Sequence, residues 1–353
     1  MKKLKSHIIL NGLTITSVEI EQQNVLKLTK SGISDWEKEL YLFLEEWFSD
    51  SDFVLAQTSG STGEPKLIEL PKSVMIKSAR RTIEYFGLQP NDKLLHSLPC
   101  RYIAGKMMVV RAIVGQMNLI TVDPASDFNF LEHESFDLAA MVPNQVFKLM
   151  EQPSGKSKLQ NIRNLLVGGS SISTALEAQI SQLSTRVVST YGMTETASHI
   201  AIRELSGSLK SDYYQCLPGI SVNLNEAGCL QILLPKFGEP LQTNDLADVQ
   251  SETSFRILGR ADSVIISGGI KFSPELIEQK LDGVIAQRFV ISSVPDEKLG
   301  QKLILIIEGQ PFDTNILKQQ LAELLTPFEQ PKAIVFLDKF QETSSGKIIR
   351  KAP

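Results

Sequence analysis

Residues 57–66 read Gln57-Thr58-Ser59-Gly60-Ser61-Thr62-Gly63-Glu64-Pro65-Lys66 and lie between two apolar runs, 53–56 and 67–70. Glycines let a backbone approach a ligand closely, and successive N–H groups in such a turn make an anion nest. Four hydroxyl side chains add donors, and Lys66 adds a compact positive charge. The combination suits a polyphosphate. It differs from the GxxxxGK[ST] loop, because no Ser or Thr follows the lysine and the glycines are spaced differently. A solvated turn has a similar composition, so the loop taken alone leaves both readings open.

The elements around it give the loop a setting. The flanking runs read as strand, loop, strand. Upstream, residues 1–30 read as short strands with Asn11-Gly12 as a tight turn. Residues 34–48 read as a helix: Ser34 and Glu37 have capping-box spacing, and Trp36, Leu40, Phe43, Leu44 and Trp47 share a face. Those aromatics read as core packing. Downstream, residues 71–86 read as a helix stopped by Gly87. Buried-strand runs then recur at 94–95, 119–122, 138–142, 165–167 and 187–188 with helical patterns between them, which predicts a parallel sheet with helices outside. Ligands of such sheets bind beyond the carboxyl ends of the strands. Gly168-Gly169-Ser170-Ser171 and Tyr191-Gly192-Met193-Thr194-Glu195 follow two of these runs. Residues 220–257 read as a small β subdomain. From Gly259 the pattern changes to an α+β unit: a helix from Ser273-Pro274-Glu275 to Gly283, a strand at 289–294, a helix at 314–325 and a strand at 333–337. The expected fold is α/β, with a core domain of residues 1–258 and a second domain of residues 259–353.

With 353 residues, 42% hydrophobic and 22% charged, the chain has ample core for about two domains. Its net charge of −4 gives no electrostatic case for a nucleic-acid partner. Cys100, Cys216 and Cys229 are scattered and odd in number, form no metal pattern, and point to a reducing compartment. No apolar run reaches membrane-spanning length and no signal peptide is read, so the expected location is cytoplasmic.

Residues 58–66 match the TSGSTGxPK pattern of the AMP-forming adenylating superfamily, which includes acyl-CoA synthetases, peptide-synthetase adenylation domains and luciferases. Further matches follow in that family's order and cover most of the chain. The resemblance implies that Thr58, Ser59, Gly60, Ser61, Thr62, Gly63 and Lys66 hold ATP phosphates. Tyr191-Gly192-Met193-Thr194-Glu195 resembles the YGxTE signature: Tyr191 and Gly192 would meet adenine, Thr194 a phosphate, and Glu195 Mg²⁺. Gly168, Gly169 and Ser170 resemble the segment bordering adenine. Asp245 matches the ribose aspartate, with Asn244 where the family commonly has Gly. Gly259-Arg260-Ala261-Asp262 resembles the GRxD segment, which implies that Arg260 meets ribose or phosphate and that Asp262 is the hinge of a small mobile C-terminal lid. Ser267-Gly268-Gly269 would line the coenzyme A route. Lys347, in a Gly-Lys-x-x-Arg setting, matches the lysine of the adenylation step.

The acid site is implied less directly. Leu98-Pro99-Cys100-Arg101-Tyr102 resembles LPxFH, with Arg101-Tyr102 in place of Phe-His. Arg101, Lys106 and Arg111 place three cations within eleven residues. They read either as solvated charges or, if one faces the acid, as the receptor of a second anionic group. Thr196-Ala197-Ser198-His199 resembles the Thr-Ala-Ser-Gln of o-succinylbenzoate–CoA ligases of menaquinone synthesis. Together these imply an ATP-, Mg²⁺- and coenzyme A-dependent ligase acting on an aromatic dicarboxylate, with Ser198 and His199 at the acid. Another acyl-CoA synthetase, an enzyme loading a carrier protein, and a non-catalytic nucleotide-binding relative are the alternatives; retention of Glu195 and Lys347 argues against the last. The phosphate loop comes far earlier than is usual for the family, which implies a missing or shrunken N-terminal portion.

Overall fold

The computed structural model describes residues 7–20, 32–57, 66–234, 239–341 and 348–350. The loop residues 58–65 and Lys347 lie outside this set. The chain divides into two units, Met1–Ser171 with Gln179–Pro218, and Ile172–Ala178 with Gly219–Pro353.

In the first unit, β1 (His7–Leu10) and β2 (Leu13–Thr16) form a hairpin. Asn11 and Gly12 supply its two left-handed residues, at φ 51° and 80°. Helix α1 (Asp35–Phe48) begins at Ser34, whose backbone N–H and hydroxyl both donate to the Glu37 carboxylate, and buries Leu40, Phe43, Leu44 and Trp47. Strands β3 (Phe53–Gln57) and β4 (Leu67–Pro71) pair antiparallel in a two-stranded sheet. Helix α2 (Lys72–Phe86) ends at Gly87 in the left-handed conformation, at φ 60°.

A nine-strand run of the main sheet follows the order β11-β10-β9-β8-β7-β5-β6-β1-β2. Its centre is parallel: β5 (Lys93–His96) pairs with β6 (Asn118–Thr121) and β7 (Phe136–Met141), then β7 with β8 (Ile162–Val167) and β8 with β9 (Arg186–Gly192). β10 (His199–Glu204) and β11 (Tyr214–Cys216) extend it antiparallel. Strands buried on both faces need continuous apolar runs, which explains why the sequence shows no alternation there. Successive strands run outward from β5 in opposite directions, so the topological switch lies between β5 and β7. Helix α3 (Ile103–Gly115) connects β5 to β6 and is buried throughout residues 105–113, including Lys106 and Arg111. Two short helices follow, α4 (Pro143–Met150) and α5 (Gly155–Gln160), while most of α6 (Thr174–Ile180) falls in the second unit.

In the second unit, β12 (Ser221–Leu224), β13 (Cys229–Leu233), β14 (Leu241–Ser251) and β15 (Ser254–Arg260) form an antiparallel meander. A hairpin of β16 (Ile265–Ser267) and β17 (Ile270–Phe272) follows. Next come α7 (Pro274–Leu281), β18 (Phe289–Asp296), β19 (Gly300–Glu308), α8 (Asn315–Leu324) and β20 (Ala333–Leu337). β19 is central in its sheet, antiparallel to β18 and parallel to β20. Ile265, Ile277, Leu281, Ile291, Leu305, Leu317 and Leu321 share one buried cluster, all of them after Gly259. Each such side chain contributes ~1.5–3 kcal/mol over exposure, so this segment has a core of its own.

Candidate active site

The β3–β4 hairpin fixes the ends of the phosphate-loop candidate. Gln57 is in register with Leu67, directly after Lys66. The expectations for Thr58, Ser59, Gly60, Ser61, Thr62 and Gly63, and for Lys347, fall outside the described residues.

At the carboxyl end of β8, a Cβ on Gly168 would come within 2.2 Å of the Thr190 hydroxyl on β9, so any larger residue would have to displace that hydroxyl. Gly169 follows at φ 90° and Ser170 is exposed. Tyr191 and Gly192 close β9, and Gly192 is in register with His199 at the start of β10. A Cβ at Gly192 would meet the Ser198 carbonyl oxygen at 2.4 Å and the His199 Cα at 2.5 Å. The close approach that Gly192 permits is therefore, in this structure, to its own chain. The six residues between make a tight turn. Thr196 donates to the Ser198 carbonyl (2.6 Å) and accepts from the Met193 N–H (3.0 Å), and Ala197 is left-handed at φ 61°. A non-glycine residue there costs ~1–2 kcal/mol, and the two Thr196 bonds hold it in place. The turn buries Thr194 and leaves the neighbouring Glu195 part-exposed. One reachable carboxylate suits Mg²⁺, which keeps water and phosphate oxygens as its other ligands. No group of three metal-ligating side chains occurs among the described residues.

The three cations of the 101–111 segment separate. Arg101 is half-exposed, pairs with Glu39 at 3.1 Å and lies over the Tyr102 ring. Lys106 pairs with Glu46 at 3.4 Å and sits 4.4 Å from the centre of the Phe43 ring, both on α1. Arg111 has no carboxylate within ion-pair distance among the described residues and is 2% exposed. Its Nη2 donates to the Ser198 hydroxyl (2.6 Å) and lies 3.4 Å from His199 Nδ1; Nη1 reaches only the Met108 sulfur, and Nε has no described partner. Burial pushes its pKa down to about 10, which still leaves it charged at neutral pH. Burial, then Arg111, then Arg81 hold His199 well below the ordinary imidazole value, so it is neutral. Folding thus brings Arg111, Ser198 and His199 together, and directs Arg101, Tyr102 and Lys106 toward α1 or their own neighbours.

In the second unit, Asp245 on β14 is in register with Arg260 on β15. The Arg260 guanidinium contacts Asp245 at 3.3 Å and grips Asp262 through two bonds of 2.9 and 2.7 Å. Arg260 is the main cause of the lowered Asp262 pKa. Ser267, Gly268 and Gly269 form the turn of the β16–β17 hairpin, with φ of 58° and 82° at the glycines. Arg350, three residues beyond Lys347, is tied to Glu278 by two bonds and to Glu275 at 3.5 Å, and donates to the Ile291 carbonyl at 3.2 Å.

The family model of AMP-binding enzymes matches residues 12–227. This chain belongs to the AMP-binding enzyme family. It is 26% identical to the 2-succinylbenzoate–CoA ligase of Lactococcus lactis, over 99% of this chain and 85% of that relative. The crystal structure of an acyl-CoA synthetase (AMP-forming)/AMP-acid ligase II-like protein from Dyadobacter fermentans is 36% identical, with 91% of this chain and 94% of that one covered and a TM-score of 0.60. The o-succinylbenzoate CoA synthetase of Bacillus subtilis, solved with its acyl-adenylate intermediate, is 18% identical over 99% and 95% of the two chains, with a TM-score of 0.77; that likeness establishes the fold. For this AMP-binding family member, sequence reading passed over Thr82. It is fully buried on α2, and its hydroxyl is 3.3 Å from His199 Nε2. A lone threonine inside a helical pattern carries no signal of such a role.

Proposed function

We propose that this AMP-binding family enzyme is an ATP-dependent acid–CoA ligase whose acid is an aromatic dicarboxylate, o-succinylbenzoate, as in menaquinone synthesis. The observation that carries the choice of acid is Arg111. A buried guanidinium without a carboxylate partner is costly, and an anionic substrate group would offset that cost. In the first step a carboxylate oxygen of the acid attacks the α-phosphorus of ATP, and pyrophosphate leaves. In the second, the thiol of coenzyme A attacks the acyl carbonyl, its proton is lost, and AMP leaves. The first step makes the carbonyl reactive, because a carboxylate oxygen is a poor leaving group and AMP a good one.

The assigned roles follow the sequence matches. The 58–63 loop and Lys66 hold the phosphates, and Thr194 donates to one of them. Gly168, Gly169, Ser170, Tyr191, Gly192 and Met193 border adenine, and Asp245 and Arg260 take the ribose. Glu195 holds Mg²⁺, which would neutralise phosphate charge. Lys347 meets the charge that builds between carboxylate and α-phosphate. Residues 259–353 form the mobile domain, with Asp262 as hinge and Ser267-Gly268-Gly269 toward coenzyme A; the separate hydrophobic cluster of that segment supports the boundary. The three free cysteines fit a cytoplasmic location. A panel of carboxylic acids scored for ATP- and coenzyme A-dependent AMP release tests the reading. The expected best substrate is o-succinylbenzoate; a monocarboxylic acid turned over equally well overturns the choice of acid, and no AMP release with any acid overturns the ligase.

A further inference from the structure

His199 stands where the sequence otherwise resembles Thr-Ala-Ser-Gln, and the chemistry above gives it no proton to carry. Its surroundings nonetheless favour one arrangement of hydrogens. Arg111 is a donor through every nitrogen, and its Nη2 faces His199 Nδ1 at 3.4 Å. The Ser198 hydroxyl lies 3.3 Å from the same Nδ1 and already accepts from Arg111, so its own hydrogen is available to that nitrogen. Nδ1 must therefore be the bare nitrogen, and Nε2 carries the hydrogen. Nε2 lies 3.3 Å from the Thr82 hydroxyl, which must accept. It can, because Thr82 donates its single hydrogen to the Ser78 carbonyl at 3.2 Å, one turn back on α2. Ser78, Thr82, His199 and Arg111 are all buried, so no bulk water competes for these positions.

We propose that Thr82 and His199 are positioning residues for Arg111: Thr82 locks His199 in the Nε2–H tautomer, and the bare Nδ1 anchors one edge of the guanidinium so that Nε–H is left for the second carboxylate of the acid. The relay sets preference for a dicarboxylic over a monocarboxylic acid; this consequence rests on the function proposed above, while the tautomer does not. In the opposite tautomer the Nδ1–H would point at Arg111, which can only donate, and Arg111 would turn from its place. Glutamine can present one acceptor and one donor as the neutral imidazole does, which explains how either residue can close this motif.

The test has two independent arms on the full-length protein. Nitrogen-15 NMR of histidine-labelled protein at neutral pH reads the tautomer, with the His199 signal assigned by its loss in His199→Gln. The wild type and Thr82→Ser should show the Nε2–H form, and Thr82→Val should shift toward Nδ1–H. An Nδ1–H form or an imidazolium in the wild type overturns the relay. Steady-state kinetics then compares o-succinylbenzoate with analogues that keep the carboxylate to be activated and lack the other. Thr82→Val should raise KM for the dicarboxylic acid about tenfold, as loss of a bond to a charged group does, while kcat and the KM values for ATP and the monocarboxylic acids stay near wild type. His199→Gln and Thr82→Ser should keep the preference. Equal loss for all acids, or a fall in kcat with no change in preference, reduces both residues to packing and overturns the proposal. If the tautomer is as expected but o-succinylbenzoate is not turned over, the substrate assignment has failed and the relay has not.

Discussion

Arg111 in the first unit and Arg350 in the second are both drawn from the surface, and their neighbours differ. Around Arg350, Glu278 and Glu275 supply two carboxylates and Ile291 a carbonyl. Around Arg111 stand a hydroxyl, a neutral imidazole and a thioether. Removing one member of an ion pair withdrawn from water strands the other charge, whereas removing a cation that faces no carboxylate strands no charge. The first arrangement holds a chain in place; the second fits the proposal that an anion arrives later. Arg111 is buried and Arg350 only partly so, and the identity of the partners separates the two cases more sharply still.

Substitutions can break this contrast, and the largest effect belongs to the paired arginine. Arg350→Met leaves the part-buried Glu278 beside Glu275 without its cation and should cost up to about 3–5 kcal/mol in urea unfolding; a loss below about 1 kcal/mol would mean that the cluster is not structural. Lys347, three residues upstream, sharpens the comparison as the cation proposed above for the adenylation step. Lys347→Ala should slow adenylate formation by ~3–4 kcal/mol and largely spare thioester formation from supplied acyl-adenylate; equal loss in both half-reactions would point to misfolding. Acid offers a third probe. Burial holds His96 at about 4 against an ordinary 6.5, and His199 is lowered as well. Below pH 6.5 the unfolded chain binds more protons than the folded one, so stability falls as pH drops toward about 4, by about 3 kcal/mol for His96 alone. His96→Gln should flatten the slope of melting temperature against pH over that window, and an unchanged slope would exclude His96 as its source.

Smaller effects follow. Arg111→Met should raise KM for the dicarboxylic acid about 10- to 100-fold, the loss of charged hydrogen bonds worth ~1.5–3 kcal/mol, with folding stability unchanged or improved. A destabilised mutant would place Arg111 in the same class as Arg350. Smallest is Arg101→Ala: its exposed pair with Glu39 should be worth under about 1 kcal/mol, with the preference among acids unaltered.

Sequence carried a large part of this. The Ser34–Glu37 cap, the Asn11-Gly12 turn and the left-handed stop at Gly87 were all legible, because each is set by local chemistry. The central strands were legible as apolar runs. β19 was passed over, though it holds the C-terminal sheet together: Leu303, Ile304, Leu305, Ile306 and Ile307 are buried on both faces and form the same kind of unbroken apolar run as the central strands. In the segment proposed for the acid, the three cations looked equivalent. Arg101 and Lys106 find their acids on α1, 62 and 60 residues away in sequence, and no local pattern reports such a pairing. Thr82 reaches His199 across 117 residues for the same reason.

The register that sets Asp245 opposite Arg260 also decides where this chain can be lengthened. A single residue added inside β14 between Leu246 and Ser251 would shift the pairing by one step and turn side chains to the other face of the sheet. Glu252 and Thr253, exposed at the tip between β14 and β15, sit beyond the last pair, Ser251 with Ser254. A reporter domain or affinity tag inserted between Glu252 and Thr253 would leave every pairing below it in step, so this hairpin offers a graft point that keeps the two motifs aligned.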